Sequence, residues 1–290
     1  MKKRFTFIAV SVIVAGLLTG CGENQSVSQI DSLPVIENST PEQSSADTNS
    51  SDTPQTGADE FEYTVKNKKV IIDKYIGTGT DVVIPDTIED YPVTVIGESA
   101  FMQNTELVSV SIPDSVKAIE DKAFYKCSSL KTANLGNGIV YIGLDAFCDC
   151  TELNGITLPD NEIEISVSAF GNCESLTEIE LPESLLSWGE YVFSECESLK
   201  SVTIPGGLSV IWHGAFSYCE NLTDVIVEEG ITKIEATAFY ECTSLTSVTL
   251  PDSISEIEDE AFYECENVSI TYKGETYTYD QLDLLYAAVG

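Results

Sequence analysis

Residues 238–242 read AFYEC, and the same five letters return at 261–265. The frame they share runs backwards along the chain as AFMQN at 100, AFYKC at 123, AFCDC at 146, AFGNC at 169, VFSEC at 192 and AFSYC at 215. Every step is 23 residues, with no insertion across eight copies. A period of this size marks a repeat architecture in which each unit is one coil stacked on the next.

Aligned on the Phe, the unit reads A-F-x-x-C-x-x-L-x-x-V-x-I-P-x-x-V-x-x-I-x-x-x. Leu107, Leu130, Leu153, Leu176, Leu199, Leu222 and Leu245 form one column, closed by Val268. Pairs such as Val110/Ile112, Val202/Ile204 and Val248/Leu250 alternate with polar residues, the period-2 signature of a half-buried strand. Pro113, Pro159, Pro182, Pro205 and Pro251 follow these pairs and end the strand, since proline has no N–H to give to a ladder. A second apolar pair, such as Val116/Ile119 or Ile231/Ile234, precedes the next Ala-Phe. One unit cannot bury its own apolar side, whereas stacked units can.

The L-x-x-[VI]-x-[IL]-P-x-x-[VIL]-x-x-I-x-x-x-A-F-x-x-C pattern resembles the BspA-like leucine-rich repeat family. That resemblance implies an α/β-type, mostly β solenoid: a right-handed leucine-rich repeat coil with short parallel strands and short helical turns at Ala-Phe. It places eight repeats over 85–268, an N-terminal cap over 60–84 and a C-terminal cap over 269–290, with a terminal helix near 279–288. Phe is expected on the convex side of each coil, with the small Ala where a turn passes close by. Leucine-rich repeats commonly stack Asn or Cys inside the coil. Cys127, Cys150, Cys173, Cys196, Cys219, Cys242 and Cys265 occupy that column, with Asn104 in the first copy. Reduced structural thiols are the expectation, because seven in a row cannot all pair and their Cβ vectors would run parallel. Disulfides and a metal site are the alternatives. Cys148 stands off the column and is the thiol to watch for reactivity.

The chain opens with Lys2, Lys3 and Arg4, then an apolar stretch ending Leu18-Thr19-Gly20-Cys21. It resembles a bacterial lipoprotein signal, which implies removal of residues 1–20, lipid on Cys21 and an extracytoplasmic, membrane-anchored protein at the bacterial surface. Residues 21–59 are rich in Ser, Thr, Asn, Gln, Asp, Glu and Pro, too polar to bury a core, and read as a tether reaching roughly 35 Å. Beyond residue 20 there are 11 lysines and 48 acidic residues, a net charge near −37. Such a surface repels phosphate backbones and anionic head groups, so nucleic acid is excluded as a partner.

Catalytic motifs are absent from the sequence: no G-x-S-x-G, H-E-x-x-H, phosphate loop or EF-hand loop. His213, the only histidine, occupies a slot filled elsewhere by Glu98, Asp121, Leu144, Val167, Glu190, Ala236 and Asp259, the range of a surface position. The chain is therefore expected not to be an enzyme, with no cofactor. No metal site is assigned, although carboxylates after the Pro slot (Asp114, Asp160, Glu183, Glu229, Asp252) could bridge calcium along one edge.

Binding residues are easier to nominate. Between the buried strand pairs, Ser111, Asn134, Thr157, Glu180, Thr203, Ile226 and Thr249 should point outward across one continuous parallel sheet. A second candidate is an aromatic patch. Trp212 occupies a column that is Gly97, Gly143 and Gly189 elsewhere, beside Tyr191, His213 and Tyr218. Trp188, in the column of Ile96, Ile119 and Ile142, is expected in the core. The family resemblance implies recognition of a host or bacterial surface protein or glycan, in adhesion. An envelope scaffold with no specific ligand is the alternative.

Overall fold

The computed structural model describes residues 55–290. The expected signal peptide, Cys21 and nearly all of the expected tether lie outside the described residues.

Most coils contribute two short strands. The V-x-I segments give Asp81–Val83, Ser109–Ser111, Thr132–Asn134 and Gly155–Thr157, which pair in parallel. The second apolar pair gives Ala118–Ile119, Tyr141–Ile142 and Glu164–Ile165, continuing from Tyr91–Ile96 and Lys69–Tyr75. Pairing partners differ by one repeat, as in Ser109 with Thr132 and Ser201 with Asp224. The 23-residue period is thus the register of the sheets. Side chains alternate across the strands, so Val110, Val202, Val225 and Val248 are buried while their neighbours face water.

The interior is one continuous core of the aligned columns. Phe101, Phe124, Phe147, Phe170, Phe193, Phe216, Phe239 and Phe262 stack along the axis with ring centroids 4.8–5.6 Å apart and rings 2–19° from parallel. At the N-terminal end Tyr75 extends the stack, 5.2 Å from Phe101. Tyr75 ends a hairpin, Phe61–Lys66 against Lys69–Tyr75, whose turn residues Asn67 and Lys68 both take positive φ. Gln55 and Thr56, in the expected tether, are bonded to the first coil: Thr56 N–H donates to Val83 O at 2.9 Å and Gln55 Nε2 to Asp86. The C-terminal end is closed by the hairpin Ser269–Tyr272/Glu275–Thr278 and by the helix α1, Leu282–Val289, which buries Leu285.

The Ala-Phe segments are not helical, contrary to expectation. Two residues in each corner adopt the left-handed conformation, for example Lys122 (φ 58°) and Lys126 (φ 61°), or Asp145 (φ 53°) and Asp149 (φ 61°). A right-handed helix cannot pass through such residues. The corner is instead a chain of overlapping tight turns. Ala123, Tyr125 and Cys127 N–H groups bond three residues back, to Glu120, Lys122 and Phe124. The intervening N–H groups of Lys122, Phe124 and Lys126 donate to Leu144, Ala146 and Cys148 of the next coil at 2.8–2.9 Å. Alternate amides thus close the turn and join the coils, leaving the corner as well bonded as a strand.

The expected continuous sheet is also corrected. At the coil over 176–187 the ladders shrink to a single parallel bridge, Glu164 with Ser187; they resume with Ser201–Ile204, Asp224–Val227, Ser247–Thr249 and Ser269–Tyr272, and on the other side with Val210–Ile211, Lys233–Ile234 and Glu256–Ile257. Two residue choices account for the seam. Thr177-Glu178-Ile179-Glu180 carries glutamates, poor strand formers, at outward positions filled by Ser or Thr in most other coils. Trp188 replaces the usual Ile, and its indole Nε1–H takes the Val210 carbonyl at 3.0 Å. As expected, Trp188 lies in the core, edge-on to Phe193 and Phe216. Across the seam the Phe stack and the corner bonds persist, Phe170 to Phe193 at 5.5 Å and Phe170 N–H to Val192 O at 3.0 Å.

Phe170→Ala should therefore cut the stack where the sheets give least support. A loss of about 3–5 kcal/mol is expected for a fully buried Phe, read from the midpoint of urea unfolding against the exposed surface change Thr249→Ala as control.

Candidate functional site

Burial separates the candidate residues into structural and exposed classes. The seven column cysteines have no exposed surface, and all are free thiols. Each Sγ–H donates to the Phe carbonyl of the preceding coil: Cys127 to Phe101, Cys150 to Phe124, and so on to Cys265 and Phe239, at 3.0–3.3 Å. The column is thus a second axial ladder, with the thiol as a small apolar group carrying one donor. Burial pushes the Cys127 and Cys196 thiols up to about 12. The off-column Cys148 is shifted in the same direction. Burial raises its pKa, and Asp149, Asp145 and Glu195 raise it further. A reactive thiol needs the opposite surroundings.

Three of the five carboxylates after the Pro slot bond to the next coil. Asp114 Oδ1 accepts from Asn137 N–H at 2.7 Å, Glu229 Oε1 from Asp252 N–H at 2.9 Å, and Asp160 Oδ1 from the Ser184 hydroxyl at 3.0 Å. Among the described residues no group of three or more His, Cys, Asp or Glu side chains converges to hold a metal ion.

The outward row divides at the seam. Ser111, Asn134 and Thr157 lie on one sheet, Thr203, Ile226 and Thr249 on the other, and Glu180 stands between them outside any strand. All but the half-buried Ser111 are exposed, and Ile226 exposes 51% of its surface.

The aromatic patch is brought together only in part. Tyr191 (φ 55°) is a left-handed corner residue whose ring meets His213 edge-on at 5.2 Å and 84°. Gly214 makes room for it: a Cβ at that position would sit 2.4 Å from the Tyr191 ring, and its φ of 61° suits glycine. His213 N–H donates to Glu235 Oε2 at 3.1 Å, and Thr237 Oγ1 lies 3.4–3.5 Å from both ring nitrogens. Tyr191 and Trp212 are exposed to 36% and 37%. Tyr218 belongs elsewhere. It meets Tyr240 at 5.4 Å, and Tyr240 in turn stacks on Tyr263. Tyr240 and Tyr263 were not among the candidates, although they are the third letters of the two identical pentapeptides.

Two clefts measure about 230 Å³, beside Trp188 and Glu164, and about 370 Å³, between Lys74 and Asn104. Both are at or below the small end of sites that engulf a small molecule.

The profile of the BspA type leucine rich repeat region matches residues 80–176 and 141–269, in six copies. The chain belongs to the BspA-type leucine-rich repeat family. A leucine-rich repeat protein of T. pallidum has a crystal structure similar to this BspA-type chain, with 27% identity, a TM-score of 0.57, and 82% of this chain and 96% of that one covered. A leucine rich cell surface protein of Faecalibacterium prausnitzii A2-165 aligns at 21% identity and a TM-score of 0.38, over 81% and 98% of the two chains. No curated protein matches the chain. Family and fold are those of leucine-rich repeat proteins, which are not enzymes in general.

Electrostatics give this BspA-type solenoid an acid preference. Burial, aided by Asp121 and Glu98, raises the Glu120 carboxyl; burial likewise raises Asp145. Both hold a proton more tightly folded than unfolded, so stability falls as pH rises through their folded pKa values. It is regained on acidification until the unfolded carboxyls, near 4, also protonate. Relief of the chain's net negative charge adds to this. The thermal midpoint is expected to be higher at pH 5 than at pH 8, and a scan across that range checks it.

Proposed function

We propose that this BspA-type protein is a surface-displayed recognition solenoid that binds a protein or glycan of a host or of another bacterium, in adhesion. The observation that carries the reading is the exposure of Tyr191 and Trp212 at fixed corners of a hydrogen-bonded coil. Large aromatics in water are unfavourable unless they anchor an interface, and Trp and Tyr are the residues that most often do. Small clefts beside a long regular surface fit a macromolecular ligand better than a metabolite.

In this reading residues 1–20 are a signal peptide, Cys21 carries the lipid and 21–59 is the tether. Residues 60–84 and 269–290 cap the repeats of 85–268. The support is the sequence: a basic start, a short apolar stretch and Cys21 after small residues. Among the described residues no helix is long and apolar enough to cross a membrane. Cys21→Ser is expected to move the protein from the membrane fraction to the soluble fraction and to abolish its labelling by a clickable fatty acid. Retention of both would remove the anchor.

Recognition is tested by saturable binding of the protein to an array of host matrix proteins, mucins and glycans at physiological salt. A partner is expected whose binding falls at least tenfold in Trp212→Ala and Tyr191→Ala with thermal unfolding unchanged. Silence across the array would favour an envelope scaffold.

A further inference from the structure

The two identical pentapeptides place tyrosines one coil apart, and the structure turns them into a strip. The Tyr240 and Tyr263 rings stack at 5.4 Å and 10° from parallel. Tyr218 joins them from the preceding coil, 5.4 Å from Tyr240 and 67° from its plane. Tyr218 and Tyr263 expose 39% and 44% of their surface. The backbone fixes the spacing: Tyr218 N–H donates to Tyr240 O at 2.7 Å, and Glu241 N–H to Tyr263 O at 2.9 Å. Glu241 and Glu264 directly follow two of the rings, and both are left-handed corner residues. The adjacent Glu264 carboxylate raises the Tyr263 hydroxyl pKa.

The AFYKC copy at 123–127 shows what such a ring can hold. Tyr125 occupies the slot of Tyr240 and Tyr263, and Lys126 occupies the slot of Glu241 and Glu264. There the chain supplies its own cation, with Lys126 Nζ 5.0 Å from the Tyr125 ring centre. In the last two coils the slot is kept and the lysine is exchanged for glutamate. Each of those rings thus has an anion beside it; Tyr240 is half-buried between Tyr218 and Tyr263, and Tyr263 is the more open ring of the kind that binds ammonium or guanidinium groups. Residues 201–290 contain 16 acidic side chains and two lysines. Both lysines are engaged, Lys233 with Glu235, Glu256 and Glu258, and Lys273 over the Tyr272 ring at 4.6 Å.

We propose that Tyr218, Tyr240 and Tyr263, with Glu241 and Glu264, form a docking strip for a lysine- or arginine-bearing segment of a partner protein. The strip rests on the recognition reading above and names the partner's chemistry. Cationic side chains lie over the ring faces, and the carboxylates complete the match. Aromatic strips can also stack on sugars, but neutral sugars would leave the paired glutamates and the Lys126 precedent without a role.

The test uses the full-length protein, with binding of labelled octa-arginine and octalysine read by anisotropy in about 0.15 M salt, where exposed charges alone are screened beyond roughly 8 Å. An eight-residue Gly/Ser peptide and a neutral hexasaccharide are the comparison ligands. Saturable binding of the cationic peptides is expected. The pair Tyr240→Leu and Tyr263→Leu, which keeps apolar bulk but removes the ring faces, should weaken it about tenfold, the size of two exposed cation–π contacts. The pair Tyr240→Phe and Tyr263→Phe should stay within about twofold. Glu241→Gln with Glu264→Gln should weaken binding severalfold and flatten its salt dependence. Tyr263→Leu alone, at the most exposed ring, covers the case in which the double variant does not fold. Equal binding by wild type and the leucine variants, an equal loss in the remote pair Glu178→Gln and Glu180→Gln, or binding of the hexasaccharide in place of the peptides would overturn the strip. An array partner lost in Trp212→Ala, with the cationic peptides ignored, would overturn the strip and leave recognition standing. Peptide binding at the strip with a silent array would support the strip and remove the Trp212 surface from the recognition reading.

Discussion

Every coil depends on its neighbour to satisfy its backbone. In a corner such as 122–127, alternate N–H groups bond within the turn and the others cross to the next coil. Neither set would suffice alone. Turns in water are weak, and an isolated coil would bury N–H groups without partners. Crossing bonds require that equivalent residues stand one step apart along the axis, which fixes the repeat at 23 residues and forbids insertions. The cost is two left-handed residues per corner, most of them not glycine, each unfavourable by order 1–3 kcal/mol. The crossing bonds, the Phe stack and the thiol ladder offset it together.

The core was legible because it is a matter of side-chain type at fixed spacing. The Leu, Val/Ile, Phe and Cys columns read from the sequence are the residues found buried, down to Trp188 in an Ile slot. The corners were not legible. Residues at the left-handed positions include Ser99, Lys122, Asp145, Thr237 and Glu260, which share no propensity for positive φ. Lattice partners impose that conformation, and a helix is what local preference would have suggested. The seam escaped for a related reason. Glu178 and Glu180 weaken a strand only slightly, and the decisive competitor is the Trp188 N–H, whose reach to Val210 is a tertiary fact.

Candidate site residues were read less well than the core, because one-dimensional proximity misleads on a coil. Tyr218 follows Trp212 and His213 by a few positions, yet its ring meets Tyr240, one coil on, which in turn stacks on Tyr263. Tyr191, a full repeat earlier, is the residue that meets His213. Columns, rather than stretches, are the unit of surface in a solenoid. Carried outward from the core, the same alignment puts Tyr240 and Tyr263 in one column and Tyr218 in the adjacent column that holds Glu241 and Glu264.

Repetition also says where function can reside. Positions that hold the lattice are constrained to near identity, so they carry little information about a ligand. What distinguishes this chain from a uniform stack are its departures: Trp212 where other coils have Gly, Ser or Glu, Tyr191 and Gly214 as a matched pair at one corner, and glutamate in place of Lys126 beside the later tyrosines. None of these is needed for stacking, since neighbouring coils manage without them. The acidic surface acts in the same direction. With 48 carboxylates and few cations, most exposed area is hydrated and self-repelling, which disfavours indiscriminate association. An aromatic ring set into that surface is a local exception to it, and a partner able to use both ring and carboxylate gains from two terms that a neutral or anionic one cannot combine.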